Sequence, residues 1–184
     1  MKKLLTVALV ASAMMPVFAE EAASANAAKV PAREESTVWP ACVAVYEWPA
    51  AADVVGLRFT IPYSTAQESV TGVDIGFWGR SLYFEGIQVN VIRNDVKDSA
   101  SGFQVGLYNS IGRGEMIGLQ AGLWNEAGCL RGLQAGLVNI AGEAQGFQVG
   151  LVNRAETMYG FQVGLINVIR EAELQFCPVC NIGF

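Results

Sequence analysis

The chain contains no histidine among its 184 residues, and only 16% of its residues are charged. The absence of His removes the commonest general base and the commonest metal ligand in proteins. Twelve basic residues stand against seventeen acidic ones, for a formal net charge of −5, and they form no basic stripe. The composition therefore argues against nucleic-acid binding. We predict no catalytic residue, no cofactor and no metal site.

Cysteine is also scarce, with four residues in all. Cys177 and Cys180 form a C-x-x-C pair in the C-terminal tail, where they are either a local disulfide or two small apolar residues in a cap. A redox couple would require this pair to open a helix beside a βαβ unit, a context that the tail lacks. Cys42 and Cys129 are isolated in sequence, and their pairing cannot be deduced.

The chain repeats one eight-residue sequence motif, Gly-x-Gln-x-Gly-Leu-x-Asn, five times, and each copy of this motif is called a phrase. The copies occupy residues 102–109, 118–125, 132–139, 146–153 and 160–167. Degenerate copies begin at Gly72 and Gly86, so the spacing throughout is 14 or 16 residues. Self-similarity at a fixed short period indicates a repeat architecture of about seven units.

Within each unit the residues alternate with period two, which predicts a β-strand. A helix is disfavoured because two glycines per phrase would each cost about 1 kcal/mol relative to Ala. The apolar row is expected to point inward, as two stacked ladders. One ladder would hold Phe103, Leu119, Leu133, Phe147 and Phe161, and the other Leu107, Leu123, Leu137, Leu151 and Leu165.

Two all-β folds satisfy this pattern. In a β-solenoid of about seven 14-residue coils, identical positions stack about 4.8 Å apart. In the alternative, an antiparallel meander or small outer-membrane β-barrel of about eight strands, each unit is one strand and a turn. A membrane strand needs a continuous apolar row facing the lipid. The solenoid is favoured because the Asn falls within that row.

The polar positions of the phrase supply the candidate site residues. The corner asparagines are expected to hydrogen bond to backbone groups of adjacent turns, and they are Asn109, Asn125, Asn139, Asn153 and Asn167. The glutamines either form a hydrogen-bonded ladder between coils or, with Tyr108 and Trp124, form an interaction face. The glutamines of complete phrases are Gln104, Gln120, Gln134, Gln148 and Gln162, and Gln88 extends the row. The glycines would leave this face flat, so that another chain could approach it.

Five segments follow from the chain order. Residues 1–19 have the basic, apolar and small-residue regions of a signal peptide, and residues 20–38 are a flexible lead. Residues 39–71 supply two strands that cap the repeat domain of residues 72–167. Residues 168–184 form a C-terminal cap or closing strand.

The repeat phrase, the segment VGLRFTIPY at residues 55–63 and the ending PVCNIGF at residues 178–184 resemble a bacterial surface-repeat family known mainly from spirochaetes. The resemblance covers roughly residues 54–184. It implies an exported protein of the periplasm, outer membrane or cell surface, without an assigned catalytic activity.

We therefore expect a non-enzymatic structural or interaction protein of the cell envelope. Its partner would be another envelope component or a second copy. The alternatives are a small outer-membrane β-barrel protein and, less favoured, an exported C-x-x-C thiol redox protein.

Overall fold

The computed structural model describes residues 41–46, 48, 53–64 and 67–184. Six strands follow in chain order and form one sheet in that order: β1 Ala41–Val45, β2 Val54–Ser64, β3 Ser69–Val105, β4 Tyr108–Val149, β5 Val152–Ile169 and β6 Phe176–Gly183. The predicted signal peptide and flexible lead lie outside the described residues.

The repeats stack in parallel, like upon like. Gly102 pairs with Gly118, Asn139 with Asn153, and Phe147 with Phe161. The fold is an all-β solenoid of about eight turns, one more than the seven predicted. The antiparallel meander and the barrel derived from it are wrong, because neighbouring repeats run in the same direction.

A column of glycines with positive φ marks one corner of the coils and identifies the eight turns. Its members are Gly56, Gly72, Gly86, Gly102, Gly118, Gly132, Gly146 and Gly160. At Gly132, φ is 139°, and a Cβ would overlap the carbonyl oxygen of Gly118 in the preceding coil. Glycine is therefore required here both by backbone conformation and by the approach of successive coils.

The predicted alternation is correct, but its direction is inverted. The phenylalanines and leucines of the two ladders point outward, and Phe147 is 52% exposed, whereas Gln134 is fully buried. Gly136, on the glutamine side of the strand, lies where a Cβ would meet Asn125 Nδ2 at 2.6 Å. The chain bends at residues 150–151, so Asn153 points inward although it lies an even number of residues after Phe147.

The apolar core consists mainly of residues between the phrases. One buried column precedes each corner glycine by two residues: Val54, Val70, Phe84, Ala100, Met116, Leu130, Ala144 and Met158. A second column follows the asparagines and contains Val96, Ile111, Ala127, Ala141, Ala155 and Ile169. These two apolar columns and the two amide columns fill the interior of the solenoid.

The two ends of the stack differ. Strand β1 pairs with β2 in parallel, within the segment predicted to cap the N-terminal end. Strand β6 instead runs antiparallel to β5, with Ile182 opposite Phe161. The tail thus adds an antiparallel strand to the last coil.

Candidate interaction surface

The glutamines form a continuous hydrogen-bonded ladder inside the solenoid. Gln134 Nε2 donates to Gln120 Oε1 at 2.8 Å, and Gln148 Nε2 donates to Gln134 Oε1 at the same distance. The same bond joins Gln104 to Gln88, Gln120 to Gln104 and Gln162 to Gln148. Each amide thus donates toward the N-terminal end of the stack.

The asparagines form a second ladder of opposite polarity. Asn125 Nδ2 donates to Asn139 Oδ1 of the following coil at 2.8 Å and to the carbonyl oxygen of Ala135 at 3.0 Å. The same pair of bonds recurs at Asn109, Asn139 and Asn153. The amide dipoles of the two ladders therefore oppose each other.

A buried carboxylate fixes the direction of the glutamine ladder. Asp74 Oδ2 accepts hydrogen bonds from Gln88 Nε2 at 2.8 Å, Asn90 Nδ2 at 2.9 Å and Arg58 at 2.7 Å. Arg58 and Asp74 are both fully buried. Because an ionised carboxylate only accepts, Gln88 must present its N–H groups, and every later glutamine follows. At the other end of the asparagine ladder, Asn167 donates to the Cys177 carbonyl at 3.1 Å.

Of the two alternatives for the glutamines, the hydrogen-bonded ladder is confirmed and the interaction face is wrong. Gln104, Gln120, Gln134, Gln148 and Gln162 are all fully buried. The phrase glycines likewise serve the approach of adjacent coils of the same chain, not of another chain. The remaining candidate surface for binding a partner is the outward side of the phrase.

That outward side is an apolar face of three columns and eight rows. The first column contains Leu57, Val73, Ile87, Phe103, Leu119, Leu133, Phe147 and Phe161. The second contains Phe59, Ile75, Val89, Val105, Ala121, Ala135, Val149 and Val163. The third contains Ile61, Phe77, Val91, Leu107, Leu123, Leu137, Leu151 and Leu165. None of the twenty-four side chains is charged, and none is buried.

The apolar face is much larger than the apolar patches of ordinary monomers. Eighteen of its side chains are more than a third exposed, including the whole third column. A half-exposed side chain of this size shows on the order of 80 Å², so together they present on the order of 1,400 Å². The largest patch on a typical monomer is about 300–600 Å², and larger ones mark interaction sites.

An aromatic strip borders the third column. The rings of Tyr108 and Trp124 stack with centroids 6.4 Å apart, and the Arg93 guanidinium lies 4.8 Å from the Tyr108 ring and 5.9 Å from that of Trp78. The Tyr108 hydroxyl donates to Glu126 at 3.0 Å. Burial raises the pKa of Tyr108 above its usual range, and the Glu126 carboxylate adds to this effect. The strip is half-buried and held by its own contacts.

The possible disulfide between Cys177 and Cys180 is not formed, and all four cysteines are free thiols. Both residues lie on strand β6, where Cys180 pairs with Val163 and Cys177 with Asn167 of the last coil.

The described surface includes shallow hollows, of which two stand out. The larger, of about 300 Å³, contains the carboxylates of Glu85 and Glu115, and Glu115 pairs with Arg131 at 2.6 Å. The smaller, of about 200 Å³, lies beside Tyr159 and Phe184. Within the described ranges, no group of three or more acidic or cysteine side chains could hold a metal ion.

The part of the chain that the structure describes includes no helix long and apolar enough to cross a membrane. No protein-family model, no curated protein and no solved structure matches this chain.

Proposed function

We propose that this chain is an exported, non-enzymatic structural or interaction protein of the bacterial cell envelope, and that it acts through the apolar face. The observation that carries the proposal is a set of twenty-four uncharged apolar positions on one side of a regular solenoid, eighteen of them more than a third exposed. Exposure of such a surface to water is unfavourable. Covering it with a partner lowers the free energy by about 25 cal/mol per Å² of apolar area buried.

The interior of the solenoid supports a structural role. Hydrogen bonds between successive coils join the buried amides, and stacked glycines bring the coils close together. This construction fixes the backbone of the sheet and thus presents the apolar face as a preformed surface. A preformed surface loses little conformational entropy when it binds.

The sequence supports the location. Residues 1–19 read as a signal peptide, and the repeat phrase with its flanking segments resembles envelope surface-repeat proteins. The net charge of −5 disfavours a role at an anionic lipid surface, which attracts basic segments.

Site-specific photo-crosslinking in cells tests the proposal. A photoreactive amino acid at Leu137, in the third column, should give adducts in the exported protein, whose N-terminus should be residue 20. The same amino acid at Leu174, which is exposed in the tail outside the apolar face, is the matched control and should give few. An intact N-terminus with the chain in the cytosol, or equal adducts at both positions, would refute the proposal.

A further inference from the structure

We infer that the occupant of the apolar face is a second copy of this chain, packed face to face about a two-fold axis. This inference rests on the proposed function, because it names the partner of the same surface.

The area of the apolar face suits a stable dimer. The arrangement described below covers the rows from Phe103 to Leu165, which hold eleven of the eighteen more exposed side chains. At about 80 Å² each, they present on the order of 900 Å² per copy, so two facing copies would bury about 1,800 Å² in total. Specific, stable interfaces bury about 1,200–2,000 Å², and a contact without charged groups matches the more apolar interfaces of homodimers.

The relief of the apolar face is self-complementary. Residues 118–123 and 132–137 contribute two rows of smaller side chains, each Leu, Ala, Leu, which are called low rows. Residues 146–151 and 160–165 contribute two rows of larger side chains, each Phe, Val, Leu, which are called high rows. A two-fold axis parallel to the strands, between the second and third of these rows, places each low row opposite a high one. Facing sheets pack about 10 Å apart with interdigitating side chains, so alternation of small and large residues fills the gap.

Strand β6 extends this surface beyond the eighth row. Ile182 and Cys180 continue the first and second columns, opposite Phe161 and Val163, and both are exposed. In the same arrangement this ninth row faces residues 102–107 of the second copy. The contact therefore covers six rows of each copy.

Sedimentation analysis of the purified mature chain tests the inference. We expect a dimer, and we expect Leu137→Glu to weaken it at least 100-fold, because a carboxylate would be buried without a partner. Leu174→Glu, at an exposed tail residue outside the contact, should leave the dimer intact. Circular dichroism should show both variants folded.

A cross-link tests the arrangement without adding charge. In a background with the native cysteines replaced by Ser, one chain carries Ala135→Cys and a second, size-tagged chain carries Val149→Cys. A short bis-maleimide should join the two different chains. The pairing of Ala135→Cys with Phe77→Cys, which no chain faces in this arrangement, should give no such product.

Two results would overturn the inference: a monomeric wild-type chain, whether or not it binds phosphatidylcholine vesicles through this face, or a dimer unaffected by Leu137→Glu. A monomer in solution that still gives face-specific adducts to another molecule in cells would leave the proposed function standing. Absence of adducts in cells would remove the proposed function itself.

Discussion

Replacing one glutamine in the middle of the ladder should destabilise the solenoid far more than its single side chain suggests. We consider Gln134→Met, which keeps the length and approximate volume of the side chain, so that the cavity contribution is small. The substitution removes the bond to Gln120 Oε1 and the bond from Gln148 Nε2, each 2.8 Å long, and a 3.3 Å bond to the carbonyl oxygen of Ile140. Two buried ladder amides on neighbouring coils then lose a partner, whereas the backbone bond has a counterpart at Gln162 and Val168.

The expected loss of stability follows from the two ladder amides, Gln120 and Gln148, that lose a partner. A buried donor or acceptor left without its partner costs about 1–3 kcal/mol, so the expected loss is about 2–6 kcal/mol. Gln162 provides an internal comparison, because within the described chain its Oε1 has no hydrogen-bond partner and its one ladder bond is to Gln148. Gln162→Met should therefore cost about half as much, or about 1–3 kcal/mol.

Urea unfolding followed by far-UV circular dichroism measures both losses. Gln145→Met is the matched control, since Gln145 is exposed and its loss should change the free energy of unfolding by less than about 0.5 kcal/mol. The slope of the transition should be compared as well, because repeat proteins can unfold in parts. If Gln134→Met were no more harmful than Gln145→Met, the glutamine ladder would not stabilise this fold.

Three further predictions concern other parts of the solenoid. Gly132→Ala should lower the free energy of unfolding by more than about 2 kcal/mol, because it combines a positive φ with a clash against the backbone of the preceding coil. Arg131→Ala, at the exposed neighbouring position, should lower it by less than about 1 kcal/mol. Asp74→Asn should cost about 3–5 kcal/mol in urea unfolding by leaving the Arg58 charge buried without a counter-ion, and adding Arg58→Leu should restore part of that loss. Burial raises the pKa of Cys129, and the nearby carboxylates of Glu115 and Glu143 add to this effect. The rate of Cys129 alkylation, followed by mass spectrometry, should therefore have a pH midpoint above that of an ordinary thiol. A lower midpoint would contradict this environment.

The spacing of the repeats predicts the stacking, but the alternation of apolar and polar residues by itself predicts the wrong side of the sheet to face inward. The 14- and 16-residue spacings predict parallel in-register coils, and the pairing of Gly102 with Gly118 and of Phe147 with Phe161 has that register. The usual expectation that apolar residues are buried then fails. Buried Gln134 is stable only because stacked copies satisfy one another, an energy that no single repeat displays.

A local signal for this inversion was present in the glycines. Gly132 and Gly136 lie on the same side of the strand as Gln134, and both are places where a Cβ would collide with the preceding coil. Glycines required by such close approach belong on the inner side, so they indicate that the glutamine is inside as well. The apolar face follows from the same reasoning, because Phe and Leu occupy the alternate positions.

The pairing of Asp74 with Arg58 could not be predicted in this way. In the first two coils these residues stand at the glutamine position of the phrase, and both look like departures from the repeat. Only the register, which aligns Arg58 with Asp74 inside the stack, shows that they end the ladder. The fate of Cys177 and Cys180 likewise depends on the extension of β6, which the C-x-x-C spacing does not specify.

The most direct test of the stacked arrangement is an intramolecular disulfide between equivalent positions of adjacent coils. Phe147 and Phe161 are paired in register, and their rings stack with centroids 5.6 Å apart. In a background with the native cysteines replaced by Ser, Phe147→Cys and Phe161→Cys should oxidise within one chain, because neighbouring strands are about 4.8 Å apart. Phe147→Cys with Leu165→Cys, four residues out of register, should not. Failure of the in-register pair, or equal oxidation of both pairs, would contradict the solenoid.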